Sequence, residues 1–310
     1  MNRFFIMLTI FPLVLTACGG TPASSAGTVD PVILASTTFL ADIAQNVAGE
    51  RVEVESLLPF GAEPHSYQPI PQDVTRIAES DLLILNGVEY EVFIEALLEN
   101  AGGERIIVTA SDGIAPRQTE AHAEDGESGE SAGDEASDPH LWLDPNLVVT
   151  YVENIREGLT HLDPDGAAEF KSNADAYAAE LQALDAWIAE QVSQIPAEQK
   201  LLVTNHEALG YFAERYGFEV VGTVIESFSS DASPSAQQMA SLIDQIKASG
   251  ARAIFLDASD NPTLAEQIAA ETDAQVVTDL HLESLTDGPP AATYLEMMKY
   301  NVTLIVEALK

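Results

Sequence analysis

The sequence predicts an α/β fold: two parallel-sheet lobes bridged by one long backbone helix. Two observations carry that expectation. Short apolar runs alternate with helical patterns from Val32 to Thr109, and the same rhythm returns from Leu201 to Leu309. Between them, Asp165 to Val192 contains no Pro or Gly, and Phe170, Ala174, Tyr177, Leu181, Leu184, Ile188 and Val192 recur every three or four residues. At about 1.5 Å per residue such a helix reaches roughly 40 Å, the length of a small domain.

In chain order, Val32–Ser36 reads as a buried strand, Phe39–Val47 as a helix and Val52–Leu58 as a second, alternating strand. A proline-rich loop, Pro59 to Pro69, holds His65. Helix Gln72–Glu79, strand Leu82–Asn86, helix Glu91–Ala101 and strand Ile106–Thr109 complete a lobe expected over 31–163. Residues 116–137 hold no large apolar side chain and are rich in Asp, Glu, Ser and Gly, so they are expected to form a disordered acidic loop. A helix then runs from Pro145, with Asp144 as its cap, to about Thr160. The linking helix is placed within 164–196, and the second lobe within 197–310. Its strands are Leu201–Thr204, Glu219–Gly222, Ala253–Asp257 and Val276–Thr278. Its helices are Glu207–Tyr216, Ser235–Ala248, Pro262–Glu271 and Tyr294–Leu309.

Residues 1–17 read as a secretory signal: Arg3 is followed by a short apolar core, too short to span a bilayer. Leu15-Thr16-Ala17-Cys18 resembles the cleavage and lipidation box of bacterial lipoproteins, making Cys18 the expected lipid attachment point and 18–30 a tether. Cys18 is the sole cysteine, which excludes an intrachain disulfide and cysteine-based zinc sites. With 50 Asp and Glu against 13 Lys and Arg, the net charge of −37 argues against nucleic acid as a partner and suits a protein that meets cations.

Ligands of parallel sheets sit beyond the carboxyl ends of strands. His65 follows the second strand, His206 follows Leu201–Thr204, Asp279 follows Val276–Thr278, and His140 is presented on a stiffened segment between Pro139 and Pro145. Three imidazoles and one carboxylate suit tetrahedral Zn²⁺, although a histidine taken singly is more often structural or incidental. His281 is a candidate to supplement Asp279. His161 fits a helix end, His122 lies in the acidic loop, and Glu207 fits an exposed first turn.

Four stretches carry a family resemblance: Pro64-His65-Ser66-Tyr67-Gln68-Pro69, Asp138-Pro139-His140-Leu141-Trp142-Leu143-Asp144-Pro145, Asn205-His206-Glu207-Ala208-Leu209-Gly210-Tyr211-Phe212 and Tyr294-Leu295-Glu296-Met297-Met298-Lys299-Tyr300-Asn301. They resemble the zinc- and manganese-binding lipoproteins of bacterial ABC importers. That resemblance implies a metal between the lobes on His65, His140, His206 and Asp279, an ABC permease as partner, an extracytoplasmic membrane-anchored location, and no enzymatic turnover. A monomer is expected. Many manganese receptors of the family have Glu where this chain has His206, so zinc is the expected cargo and manganese the alternative. A zinc hydrolase is the competing reading. It would need an open coordination position and a general base, and the sequence has no His-Glu-x-x-His helix. No feature supports a third reading, a surface adhesin.

Overall fold

The computed structural model describes residues 31–119, 136–228 and 233–310. The signal sequence, Cys18, the tether, His122 and most of the acidic run lie outside these residues. The first lobe consists of β1 (Ile33–Ala35), α1 (Thr38–Ala48), β2 (Val54–Ser56), α2 (Pro71–Glu79), β3 (Leu82–Leu85), α3 (Ile94–Ala101) and β4 (Ile106–Thr109). All strands are parallel, in the order β2-β1-β3-β4. Strands buried on both faces explain the apolar runs Ile33–Ala35 and Leu82–Ile84. α3 starts at Ile94, three residues later than the periodicity suggests. Gly87, Val88 and Glu89 adopt positive φ values of 87°, 54° and 56°, and the Glu91 carboxylate turns back to accept from Asn86 N, Gly87 N and Ser36 Oγ.

The ends of the acidic run are ordered, contrary to the expectation for 116–137. Gln118–Thr119 (β5) pairs antiparallel with Ala136–Ser137 (β6), so backbone pairing there needs no apolar side chain. Next come α4 (Pro145–Leu162), capped by Asp144 accepting from Asn146 N, and α5 (Ala167–Val192), 26 residues long. The buried stripe of α5 is the set of seven residues named above, from Phe170 to Val192. It packs on α1 and α4 of the first lobe and on α9 (Tyr294–Leu309) of the second, which makes it the bridge between them.

The second lobe contains β7 (Leu201–Thr204), α6 (Gly210–Tyr216), β8 (Glu219–Thr223), α7 (Ala236–Ser249), β9 (Ala253–Asp257), α8 (Thr263–Thr272) and β10 (Gln275–Leu280), followed by α9. Its parallel sheet is ordered β10-β9-β7-β8. Read from the other edge, this repeats the winding of the first lobe: each lobe's first strand lies between its second and third. In both sheets a crevice therefore opens where the chain reverses direction across the sheet, at the carboxyl ends of β1 and β3 and of β7 and β9. α6 starts at Gly210 rather than Glu207. An irregular turn, with Thr204 Oγ1 and Ala208 N both donating to the His206 carbonyl, replaces its expected first turn. One apolar core runs through both lobes, from Phe39, Trp142 and Tyr151 to Phe212, Phe255 and Met297.

Candidate metal centre

Each histidine of the site is positioned by its local chain. His65 lies in a short 3-10 turn, Pro64–Ser66, where proline fixes the entry and the Glu63 carboxylate accepts from His65 N at 3.0 Å. His140 follows Pro139 and is fully buried. Asp138 Oδ1 lies 3.0 Å from its backbone N and 2.9 Å from Nδ1. The carboxylate holds a proton on Nδ1, so Nε2 is the nitrogen that offers a lone pair to the cleft once it has given up its own proton. Asp138 is held in turn by Arg117 Nη1 at 2.9 Å, and its carbonyl accepts from Tyr211 OH at 2.8 Å. His206 sits in the irregular turn after β7, buried at 1% exposure.

The fourth group is Glu283. The backbone N–H groups of Leu282 and Glu283 donate to Asp257 Oδ2 at 2.6 and 3.4 Å, and Trp142 Nε1 donates to the Leu282 carbonyl at 2.8 Å. Glu283 Oε1 lies 3.2 Å from His140 Nε2, 3.2 Å from His206 Nε2 and 3.9 Å from His65 Nε2. The three rings form a near-equilateral triangle with centroids 5.3 to 5.7 Å apart. One ligand atom from each of the four residues lies within 4.8 Å of all the others. His65 Nε2 is buried without a hydrogen-bond partner, and His140 Nε2, though 3.2 Å from Glu283 Oε1, makes no well-directed hydrogen bond to it; a cation between them would satisfy both.

Electrostatics separate the histidines. Burial opposes charge on His140, but Glu283 and Asp138 outweigh it, and its pKa is pushed up to about 9. His65 has no such carboxylate of its own; burial lowers it to about 4. Burial works against the Glu283 charge too, yet the three imidazoles hold its pKa well below the usual carboxylate value. At the rim, burial and the neighbouring Glu283 raise Glu63 to about 7, and Asp260, bonded to Asn205 Nδ2 at 2.6 Å, rises to about 6 through burial.

The structure thus brings His65, His140 and His206 together and leaves Asp279 out, which corrects the sequence expectation. β10 continues through Asp279 to Leu280 with an irregularity after Val277, and Asp279 is exposed on its edge. The carboxylate that enters the site comes four residues later, from the loop. His281 is also outside the cluster: its N donates to Asn301 Oδ1 at 2.8 Å and its ring packs on Tyr300. His161 is exposed in the last turn of α4. Glu207 is bound through its backbone N to the Ser227 carbonyl and is not one of the four converging residues. The signal that marks Glu283 is a lone acid inside the apolar run Leu282-Glu283-Ser284-Leu285, all four buried. A carboxylate in such a run needs a buried partner.

Comparison with known proteins shows the family. The family described as "zinc-uptake complex component A periplasmic" matches residues 33–308. The manganese-binding lipoprotein MntA of Halalkalibacterium halodurans is 32% identical over 312 residues, covering 99% of this chain and 98% of that protein. The iron-binding protein YfeA of Yersinia pestis is 34% identical over 277 residues, covering 89% and 85%. Among solved structures, the periplasmic zinc-binding protein TroA from Treponema pallidum superposes with a TM-score of 0.78 at 29% identity, covering 90% of this chain and 99% of that one. The manganese-bound periplasmic metal-binding protein of Candidatus Liberibacter asiaticus gives 0.76 at 30%, covering 91% and 100%. With a family match that spans nearly the whole described chain and relatives that are metal receptors, the chain belongs to the zinc-uptake component A family of metal-binding receptors for ABC importers.

Proposed function

We propose that this protein captures Zn²⁺ outside the cell on His65, His140, His206 and Glu283 and passes it to a membrane permease of the ABC type. One observation carries the reading: three imidazole nitrogens converge on a single carboxylate oxygen at 3.2, 3.2 and 3.9 Å. Bonds of about 2.0–2.1 Å in a tetrahedron give ligand–ligand edges of about 3.3 Å, close to the two 3.2 Å spacings, so a Zn²⁺ ion would draw inward the donors that stand further apart, all within 4.8 Å of one another. Three nitrogen donors and one oxygen favour zinc over manganese, which prefers more oxygen donors and a larger shell. Relatives named for manganese and iron keep Mn²⁺ as the second reading. A hydrolase is disfavoured, because four protein donors leave no position for a reactive water.

Lipidation at Cys18 would tether the receptor to the outer face of the membrane, consistent with relatives named as lipoproteins. Competitive titration of Zn²⁺ and Mn²⁺ against a chromogenic chelator tests the cargo. Zinc should bind more tightly by orders of magnitude; equal affinities would overturn the zinc assignment.

A further inference from the structure

Tyr90 is buried at 1% exposure in the wall of the candidate metal centre, and its hydroxyl is not one of the four converging donors. The ring packs against Trp142 at 4.8 Å and edge-on to His65 at 5.3 Å between centroids, so it has little freedom to swing. Its hydroxyl donates to Glu283 Oε2 at 2.5 Å. Oε2 is the oxygen that faces away from the histidines, while Oε1 faces them. Tyr90 is presented by the turn in which Val88 and Glu89, both non-glycine, adopt φ of 54° and 56°. Such conformations persist only where surrounding contacts enforce them. Here the Glu91 carboxylate ties down Asn86 N and Gly87 N, and Asn86 Nδ2 donates at 3.0 Å to the carbonyl of Pro139, next to His140. The turn is therefore locked to the segment that carries a ligand.

We propose that Tyr90 sets the metal preference of the site by holding Glu283 to coordination through one oxygen. This rests on the receptor reading above. A carboxylate can bind a metal through one oxygen or two. With Oε2 engaged by a buried phenol, only Oε1 is available, and three imidazoles plus one oxygen make a four-coordinate shell. Without the phenol, Oε2 is buried and unpaired, and turning it onto the metal would satisfy it. The shell would grow to five, the direction Mn²⁺ favours and Zn²⁺ gains little from. Tyr90 is thus a positioning residue: it acts on the ion only through Glu283.

The test uses the whole protein loaded with Co²⁺, whose visible absorption is intense in four-coordinate sites and weak in five- or six-coordinate ones, together with Zn²⁺ and Mn²⁺ titrations. Wild type should give the intense spectrum. Tyr90→Phe should give a weakened one and a zinc-over-manganese affinity ratio about tenfold smaller, as loss of one hydrogen bond to a charged group implies. The melting temperature of the metal-free variant reports whether it folds. If Tyr90→Phe does not fold, Tyr90→Met fills the space without a donor and carries the same expectation. A weak Co²⁺ spectrum in wild type, or a variant with wild-type spectrum and ratio, overturns the proposal while leaving tight binding, and with it the receptor reading, intact. Wild type that binds no metal overturns the receptor reading and this one with it.

Discussion

The two lobes are wound alike, yet they supply the site by different means. The first lobe contributes two imidazoles from proline-stiffened turns, each fixed by an acid two residues before it: Glu63 for His65 and Asp138 for His140. The second contributes one imidazole from an irregular turn and one carboxylate from a loop held by Asp257 and by Tyr90 of the other lobe. In the first lobe, local chain stiffness sets donor direction, and short motifs encode it. The second lobe's carboxylate takes its direction from partners distant in sequence, 25 residues away for Asp257 and 193 for Tyr90. A short motif cannot encode partners so far apart.

The largest effect is expected from deleting the carboxylate that the second lobe supplies. Glu283→Ala should weaken Zn²⁺ binding by about a thousandfold or more, because it removes a ligand and the one carboxylate that faces all three imidazoles. Asp279→Ala should leave affinity within about twofold, because that side chain is exposed at the strand edge. Titration against a competing chelator reads both; equal losses would return Asp279 to the site. His140→Ala should match Glu283→Ala in scale.

Support for a ligand should matter less than the ligand itself. Asp138→Asn keeps the shape but turns the acceptor on Nδ1 into a weaker one, and loss of such a carboxylate brace typically costs about 10- to 100-fold in metal affinity. An unchanged affinity would mean that Pro139 alone orients the ring.

The sequence placed the strands of both parallel sheets and the helices that cover them, because each is a local pattern: buried runs for parallel strands, three-and-four spacing for α5; it did not place the short β5–β6 pair. His65, His140 and His206, which the structure brings together, were legible in the sequence because each lies at a strand exit or between prolines. It missed Glu283, because the sequence ended β10 early and Asp279 then took the strand-exit place; the chain instead continues through Leu280 before turning in. It also missed the late starts of α3 and α6, where side-chain bonds from Glu91 and Thr204 divert the backbone into turns.

The pH dependence also separates donors that look equivalent in sequence. Three free imidazoles would each surrender a proton near pH 6.5, giving a steep dependence between about 7 and 5. In the structure, His65 stays neutral down to about 4 and adds nothing in that range, whereas His140, at about 9, must lose its proton whenever metal binds below that pH. Zn²⁺ binding at pH 7 should therefore release the His140 proton, measurable by calorimetry in buffers of different ionisation enthalpy. Affinity should fall more gently than the three-proton limit between 7 and 5. The raised His140 value also means that its ion pair stabilises the metal-free fold fully below about pH 6.5 and less as pH rises through about 9. The melting temperature of metal-free protein should decline across that window. A three-proton slope, or a flat melting profile, would contradict these assignments.

The smallest effect is expected from the acidic run. Deleting 120–135 and closing the β5–β6 pair with a two-residue turn should change the melting temperature and Zn²⁺ affinity little, since the flanking strands and Arg117 are anchored by their own bonds to Ser137, Asp138 and Tyr211. A large loss of affinity would give that run a part in the site.

Glu283, rather than Asp279, is expected to complete the three-histidine site. A crystal structure of the zinc-loaded protein, with anomalous difference maps on both sides of the zinc absorption edge, tests it directly. The expected result is one strong peak about 2.0–2.2 Å from His65 Nε2, His140 Nε2, His206 Nε2 and Glu283 Oε1. A peak ligated by Asp279, or one from which Glu283 has turned away, would contradict it.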